Sequence, residues 1–184
     1  MRGANLYIER RLWYPDQRRH SLAFAVGDQV VYPSQGAGVV AETTTREVLG
    51  ETDEYLKIVF VRGGLEVLIP LKKGDEVGLR HAIGKDEIER LTEAMIKGDI
   101  SLPSQWPPRY RAEQEILAIG NPYELARLIG VLTQRDLEKG LAATEREVLE
   151  SAKGALASEV AVVKGIDLVE AVEMLETIID EKIT

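Results

Sequence analysis

Apolar positions in residues 24–83 recur in short runs broken by turn residues. Residues 29–32 form a β-rich run that ends at Pro33, and Gln35-Gly36-Ala37-Gly38 reads as a turn before Val39 and Val40. Thr43, Thr44 and Thr45 carry β-favouring residues on to Val48, and Leu49-Gly50-Glu51 has the composition of a hairpin turn. Residues 55–61 are strongly strand-like, Gly63-Gly64 marks a further turn, and residues 65–71 make another strand that stops at Lys72-Lys73-Gly74-Asp75. Short strands with turns about every ten residues predict a small, strongly bent sheet or barrel.

Near Gly84 the period changes. Ile88, Leu91, Met95 and Ile96 recur at helical spacing, with Gly98 as a stop. Residues 101–108 form a Pro-rich connector, and residues 109–119 are compatible with a helix. Asn121-Pro122 has the form of an N-cap and first-turn pair, because proline lacks the donor that this position would leave unused. Leu125, Leu128, Ile129 and Leu132 make that helix's apolar face, and Gly140 fits a left-handed stop. Thr144 with Glu147 predicts a capping box at the start of a long helix reaching Gly165, and Asp167 with Glu170 predicts another. The pattern is therefore α+β in two domains: a bent sheet or barrel over residues 24–83 and a compact helical domain over residues 84–184. Strands followed by helices, without alternation, argue against a doubly wound nucleotide fold. Residues 1–23 have neither period and read as a loosely ordered extension; a basic arm that touches nucleic acid is the sharper alternative.

Composition narrows the function. With 184 residues, 45% hydrophobic and 29% charged, the chain is globular rather than disordered. The absence of cysteine removes disulfides, thiolate catalysis and Cys-based zinc sites, and fits a reducing cytoplasm. No apolar run approaches the roughly 20 residues that span a bilayer, and the first residues lack the apolar core of a secretory signal. The net charge of −8 works against a generally basic nucleic-acid-binding surface. Residues 1–23 hold five Lys/Arg against two Asp/Glu, residues 24–83 six against nine, and residues 84–184 twelve against twenty. Any contact with nucleic acid must come from a local patch.

Catalytic constellations are weak. His20 and His81 stand far apart and have no cysteine to join them, so neither a metal site nor a nucleophile–base pair is expected. Gly36-Ala37-Gly38 lacks the third glycine, the following helix and the lysine of a phosphate loop. The acidic residues of the last two helices read as a solvated face. One segment is different: Gln105-Trp106-Pro107-Pro108-Arg109-Tyr110-Arg111 sets a tryptophan on a Pro-stiffened turn with two arginines close by. Trp106 could pack into the core or against Tyr110. Alternatively, it could project as a rigid wedge into a base stack while arginines neutralise flanking phosphates.

Several of these segments, in order, resemble the CarD/CdnL family of bacterial RNA polymerase-binding regulators. Phe24-Ala25-Val26-Gly27-Asp28 through Val31-Tyr32-Pro33 and Gly36 resembles the family's opening. Leu102-Pro103-Ser104-Gln105-Trp106 with Arg109-Tyr110-Arg111 resembles its Trp-bearing turn. Gly120-Asn121-Pro122-Tyr123 and Arg135-Asp136-Leu137-Glu138-Lys139-Gly140-Leu141 add two further matches, so the resemblance extends over about residues 24–182. It implies a Tudor-like domain that binds the polymerase β subunit, as the related domain of transcription-repair coupling factors does. It also implies a helical domain that meets promoter DNA at the upstream edge of the melted region.

By the same resemblance, Arg46 falls at a polymerase-contacting position, Trp106 matches the wedge, and Arg109 and Arg111 match basic positions that approach the DNA backbone. Two departures limit the transfer. Pro107-Pro108 stands where some members carry a basic residue, and Leu68 stands where some carry a polymerase-contacting arginine. Residues 1–23 have no family counterpart. The expected protein is a monomeric, cytoplasmic regulator, associated with the nucleoid through polymerase, without catalysis, cofactor or membrane. Its alternative is a polymerase or repair-factor docking adaptor that never touches DNA, which predicts a buried Trp106.

Overall fold

The computed structural model describes residues 24–184 apart from positions 34, 49 and 75. The extension expected over residues 1–23 lies outside the described residues. Five strands form one antiparallel sheet in the order β4-β3-β2-β1-β5: β1 Gln29–Tyr32, β2 Gly36–Val48, β3 Glu51–Phe60, β4 Glu66–Pro70 and β5 Arg80–His81. Five helices follow: α1 Ile88–Lys97, α2 Trp106–Ile119, α3 Pro122–Lys139, α4 Ala143–Lys164 and α5 Leu168–Lys182. The two-domain α+β arrangement is the one the periodicity predicts.

Alternation in β3 buries Leu56, Ile58 and Phe60 on one face of the sheet, where they join Phe24, Val30, Val40, Ile69 and Leu79. The β2–β3 register slips between Val40 and Glu42, an irregularity of the kind that bends and twists a strand pair. Beyond it both strands run on mostly exposed from Ala41 to Glu54, so the hairpin extends past the core. The chain differs from expectation at Gly36-Ala37-Gly38, which opens β2 instead of forming the turn. The turn falls one step earlier and is closed by Gln35 N–H on the Tyr32 carbonyl at 2.9 Å. Gly36 has φ +88, and a β-carbon there would lie 2.6 Å from Ser158 Oγ, so only glycine fits. The short β5 carried no usable period; it is fixed by pairing with β1 at Val30↔His81 and Val31↔Arg80.

α4 is the central helix. Val148, Leu149, Ala152, Leu156, Val160 and Val163 are buried in the helical core, and Val162 turns toward the sheet. Because side chains alternate, Val30 enters the sheet's own core while Val31 faces the other way and meets Val162 with Ala37. α1 packs so closely on α3 that a β-carbon at Gly130 would overlap the Met95 carbonyl. Asn121 Oδ1 accepts from the N–H groups of Tyr123 and Glu124, and Asp167 Oδ1 from that of Glu170, as their capping roles predict.

At the start of α4 and the end of α3 the helix limits depart from the sequence reading. α4 begins before Thr144, and Glu145 reaches back so that its Oε2 accepts from Ala142 N–H at 3.1 Å. Gly140 closes α3 at φ 75 and ψ 152, outside the left-handed helical region.

Candidate nucleic-acid interface

α2 begins at Trp106, three residues earlier than the sequence pattern predicts, because both prolines fit its first turn, where no intrahelical N–H is needed. Gln105 is extended (φ −80, ψ 139), and its carbonyl receives the Arg109 N–H at 3.1 Å. The Trp106 side chain is 47% exposed. Its ring stacks on Tyr110 one turn along, with centroids 5.7 Å apart and planes inclined by 10°. Tyr110 is itself packed against the helical core. The tryptophan is therefore stacked on Tyr110 and about half exposed, a state between the two that the sequence allowed.

Arg109 lies elsewhere than expected. It is 5% exposed and points into the domain. Its Nε donates to Glu145 Oε1 at 2.8 Å, and its Nη1 donates to the carbonyls of Ser104 at 2.7 Å and Pro103 at 3.4 Å. This corrects the expectation of an exposed Arg109 that approaches the DNA backbone: its guanidinium is largely buried and is bonded to Glu145 and to two loop carbonyls. Arg111, two residues on, is exposed. Arg46 is exposed on β2 of the other domain, opposite Asp53 in the β2–β3 register. The structure thus keeps Trp106 and Arg111 on the surface of α2, turns Arg109 inward, and places Arg46 on the hairpin.

Around Arg109 lies a cluster that residue types alone did not disclose. Arg135 Nε on α3 is 3.4 Å from Glu145 Oε1, and Glu113 Oε1 is 3.7 Å from Arg109 Nε. Glu113 is fully buried, and neither of its carboxylate oxygens has a hydrogen-bond partner among the described residues. Burial, reinforced by the charge of Glu145, pushes the Glu113 carboxyl up despite Arg109 and Arg135. Burial would raise Glu145 as well. There, however, the Arg109 and Ala142 hydrogen bonds and the charges of Arg109 and Arg135 win, holding it below the ordinary glutamate range. The available signal was Glu145 three residues after Ala142, but Thr144 with Glu147 is the more familiar pattern. Among the described residues no group of three or more His, Asp or Glu is placed to hold a metal ion, and no helix is long and apolar enough to cross a membrane.

Two family models match the chain: the CarD-like/TRCF RID domain over residues 24–83 and the CarD C-terminal domain over residues 90–176. YdeB of Bacillus subtilis (strain 168), a candidate transcription factor, is 29% identical over 143 residues, which are 78% of this chain and 94% of that protein. The solution structure of the 72-residue N-terminal domain of Myxococcus xanthus CarD is 34% identical over 32% of this chain and 77% of that one, with a TM-score of 0.29.

Proposed function

The chain belongs to the CarD family of transcription regulators, and from that premise we propose that it binds the RNA polymerase β subunit through its sheet and stabilises the open promoter complex with Trp106. The observation that carries the proposal is the half-exposed indole on a Pro-stiffened helix start, backed by Tyr110. Melting leaves a fork at the upstream edge of the bubble. A ring lodged there keeps the last bases unstacked and opposes reannealing. Unstacking a step is worth about a few kcal/mol, enough to change the lifetime of the open complex severalfold or more. No bond is made or broken, so the activity calls for neither a catalytic residue nor a cofactor.

Docking would supply the local concentration. The acidic helical domain is suited to weak binding of free DNA, and tethering through polymerase raises its effective concentration to the order of mM. Among the described residues β4 is an edge strand of the sheet, and an edge offers main-chain groups for pairing. The other edge, β5, is two residues long and lies beside the helical domain. A strand of the β subunit adding to β4, with Arg46 supplying side-chain selectivity, is the docking mode that fits this geometry. The protein would act as a monomer in the cytoplasm, at the nucleoid through polymerase.

The adaptor reading needs a buried Trp106, and the exposure of that ring weighs against it. The test is Trp106→Ala in the full chain. The variant should fold and retain polymerase but shorten open-complex lifetime at responsive promoters. Lifetimes equal to the parent's would remove the wedge.

A further inference from the structure

The Arg109 clamp has a consequence for the tryptophan above it. One guanidinium ties three pieces of chain together. Its Nη1 holds the carbonyls of Pro103 and Ser104 in the segment leading into α2. Its Nε holds Glu145, and Glu145 is bound in turn to the first turn of α4 through Ala142 N–H. Arg109's own N–H closes the first turn of α2 onto Gln105, the residue next to Trp106. The Arg109 side chain therefore ties the backbone leading into the indole to α2 and α4, while main-chain bonding closes the turn that follows it.

We propose that Arg109 and Glu145 are positioning residues for Trp106: they set the direction in which the ring projects and make no contact with nucleic acid. This rests on the wedge reading above. The chemistry requires arginine in particular. A guanidinium presents donors in a rigid fork and serves Glu145 and the loop carbonyls together. A lysine ammonium keeps the charge but is a single point on a flexible stem, so it cannot hold both sides. A phosphate-binding cation, by contrast, tolerates lysine well.

The test uses the full chain with Trp13→Phe, which leaves Trp106 as the sole tryptophan. In Arg109→Lys and Glu145→Gln, acrylamide quenching of Trp106 fluorescence should rise in the free protein. In polymerase complexes both variants should lose most of the lifetime gain, falling toward the level of Trp106→Ala. The far-ultraviolet circular dichroism, polymerase binding and the salt dependence of the lifetime should all stay those of the parent.

Parent-like quenching and lifetime in Arg109→Lys would overturn the proposal. So would unchanged quenching in Arg109→Ala together with a salt slope lower by about one, the mark of a lost phosphate contact that lysine would have kept. If Arg109→Lys fails to fold, Glu145→Gln carries the same readings, because it keeps the shape but leaves one acceptor oxygen for the two hydrogen bonds that Glu145 receives. If Trp106→Ala itself leaves the lifetime unchanged, the wedge reading fails, and quenching in the free protein still decides whether Arg109 and Glu145 hold the ring.

Discussion

Arg80 on β5 and Glu159 on α4 meet at two points across the domain junction, Nη1 to Oε1 at 2.6 Å and Nη2 to Oε2 at 2.8 Å. Glu159 is 1% exposed, and its Oε1 also accepts from Ile83 N–H at 3.0 Å. Arg80 Nη2 also donates to the Gly120 carbonyl at the end of α2, at 2.9 Å. Beside this pair, Gln29 Nε2 donates to the Val162 carbonyl at 2.7 Å, and Ala37 N–H to Ser158 Oγ at 3.0 Å. The same helix that carries Glu159 carries Glu145 fourteen residues earlier, about 21 Å along the axis at ~1.5 Å per residue. One rigid element thus connects the sheet to the turn that bears Trp106.

Glu159→Ala should therefore be far more damaging than a surface substitution. It leaves the Arg80 guanidinium and the Ile83 N–H without their shared acceptor. Breaking a buried pair from one side costs on the order of 3–5 kcal/mol. Glu159→Gln keeps an acceptor and should cost less. Urea unfolding would check this; a midpoint for Glu159→Ala within error of the parent would mean that the junction does not depend on the pair.

Little of this junction could be read from the sequence, and the reason is physical. Periodicity reports which face of an element is apolar, so β3 and the long stretches of α3, α4 and α5 were legible. It does not report partners distant in the chain: Arg80 and Glu159 stand 79 residues apart and look like two ordinary surface charges. Gly36-Ala37-Gly38 reads as a turn by composition. Its glycines answer instead to close approach, Gly36 to Ser158 and Gly38 to the Val59 carbonyl. At the candidate interface, residue type and the Pro-Pro pair pointed to Trp106. The same arginine content gave Arg109 and Arg111 equal standing, although one is buried and the other exposed. Which arginine turns inward depends on Glu145, and that position is set only by tertiary packing.

Glu113 and Glu145 should tilt the pH dependence of stability in opposite senses. The Glu113 carboxyl titrates higher folded than unfolded, so its contribution is fully present below the ordinary glutamate value, about 4.3, and is lost as pH rises through the folded value. Glu145 titrates lower when folded, so its contribution is present above that ordinary value and is lost as pH falls through the folded one. Glu113→Gln should consequently gain on the parent as pH rises from about 4 toward 8. Glu145→Gln should lose most against the parent at the upper end. Denaturant unfolding over that range checks both, and a pH-independent offset for Glu113→Gln would contradict the assignment.

Arg46→Glu should separate docking from folding. Arg46 is exposed, and its cross-strand neighbour Asp53 is already held by an ion pair with Lys72. The new carboxylate opposite Asp53 adds a like-charge pair worth roughly 0.2–1 kcal/mol, so thermal stability should change little. Binding to the polymerase β subunit should drop clearly in titration calorimetry or pull-down. Unchanged binding would place the docking surface away from this hairpin.

Arg111 is an exposed cation on α2, five residues beyond Trp106, and its contribution should be electrostatic and indifferent to sequence. Residues 84–184 carry twelve Lys/Arg against twenty Asp/Glu, so this domain gains nothing from a general field and depends on contacts at close range. A phosphate contact releases counterions. Its loss in Arg111→Ala should therefore lower the slope of log affinity against log salt by about one and weaken binding to a similar degree on every duplex. In polymerase complexes the variant should reduce activity at responsive promoters generally, without changing which promoters respond, because phosphate contacts position and base contacts specify. Trp106→Ala should behave differently, shortening the open-complex lifetime while leaving the salt slope as it was. Should the isolated protein bind one duplex tightly and selectively, sequence would be read directly, and a wedge delivered by tethering would no longer account for its action.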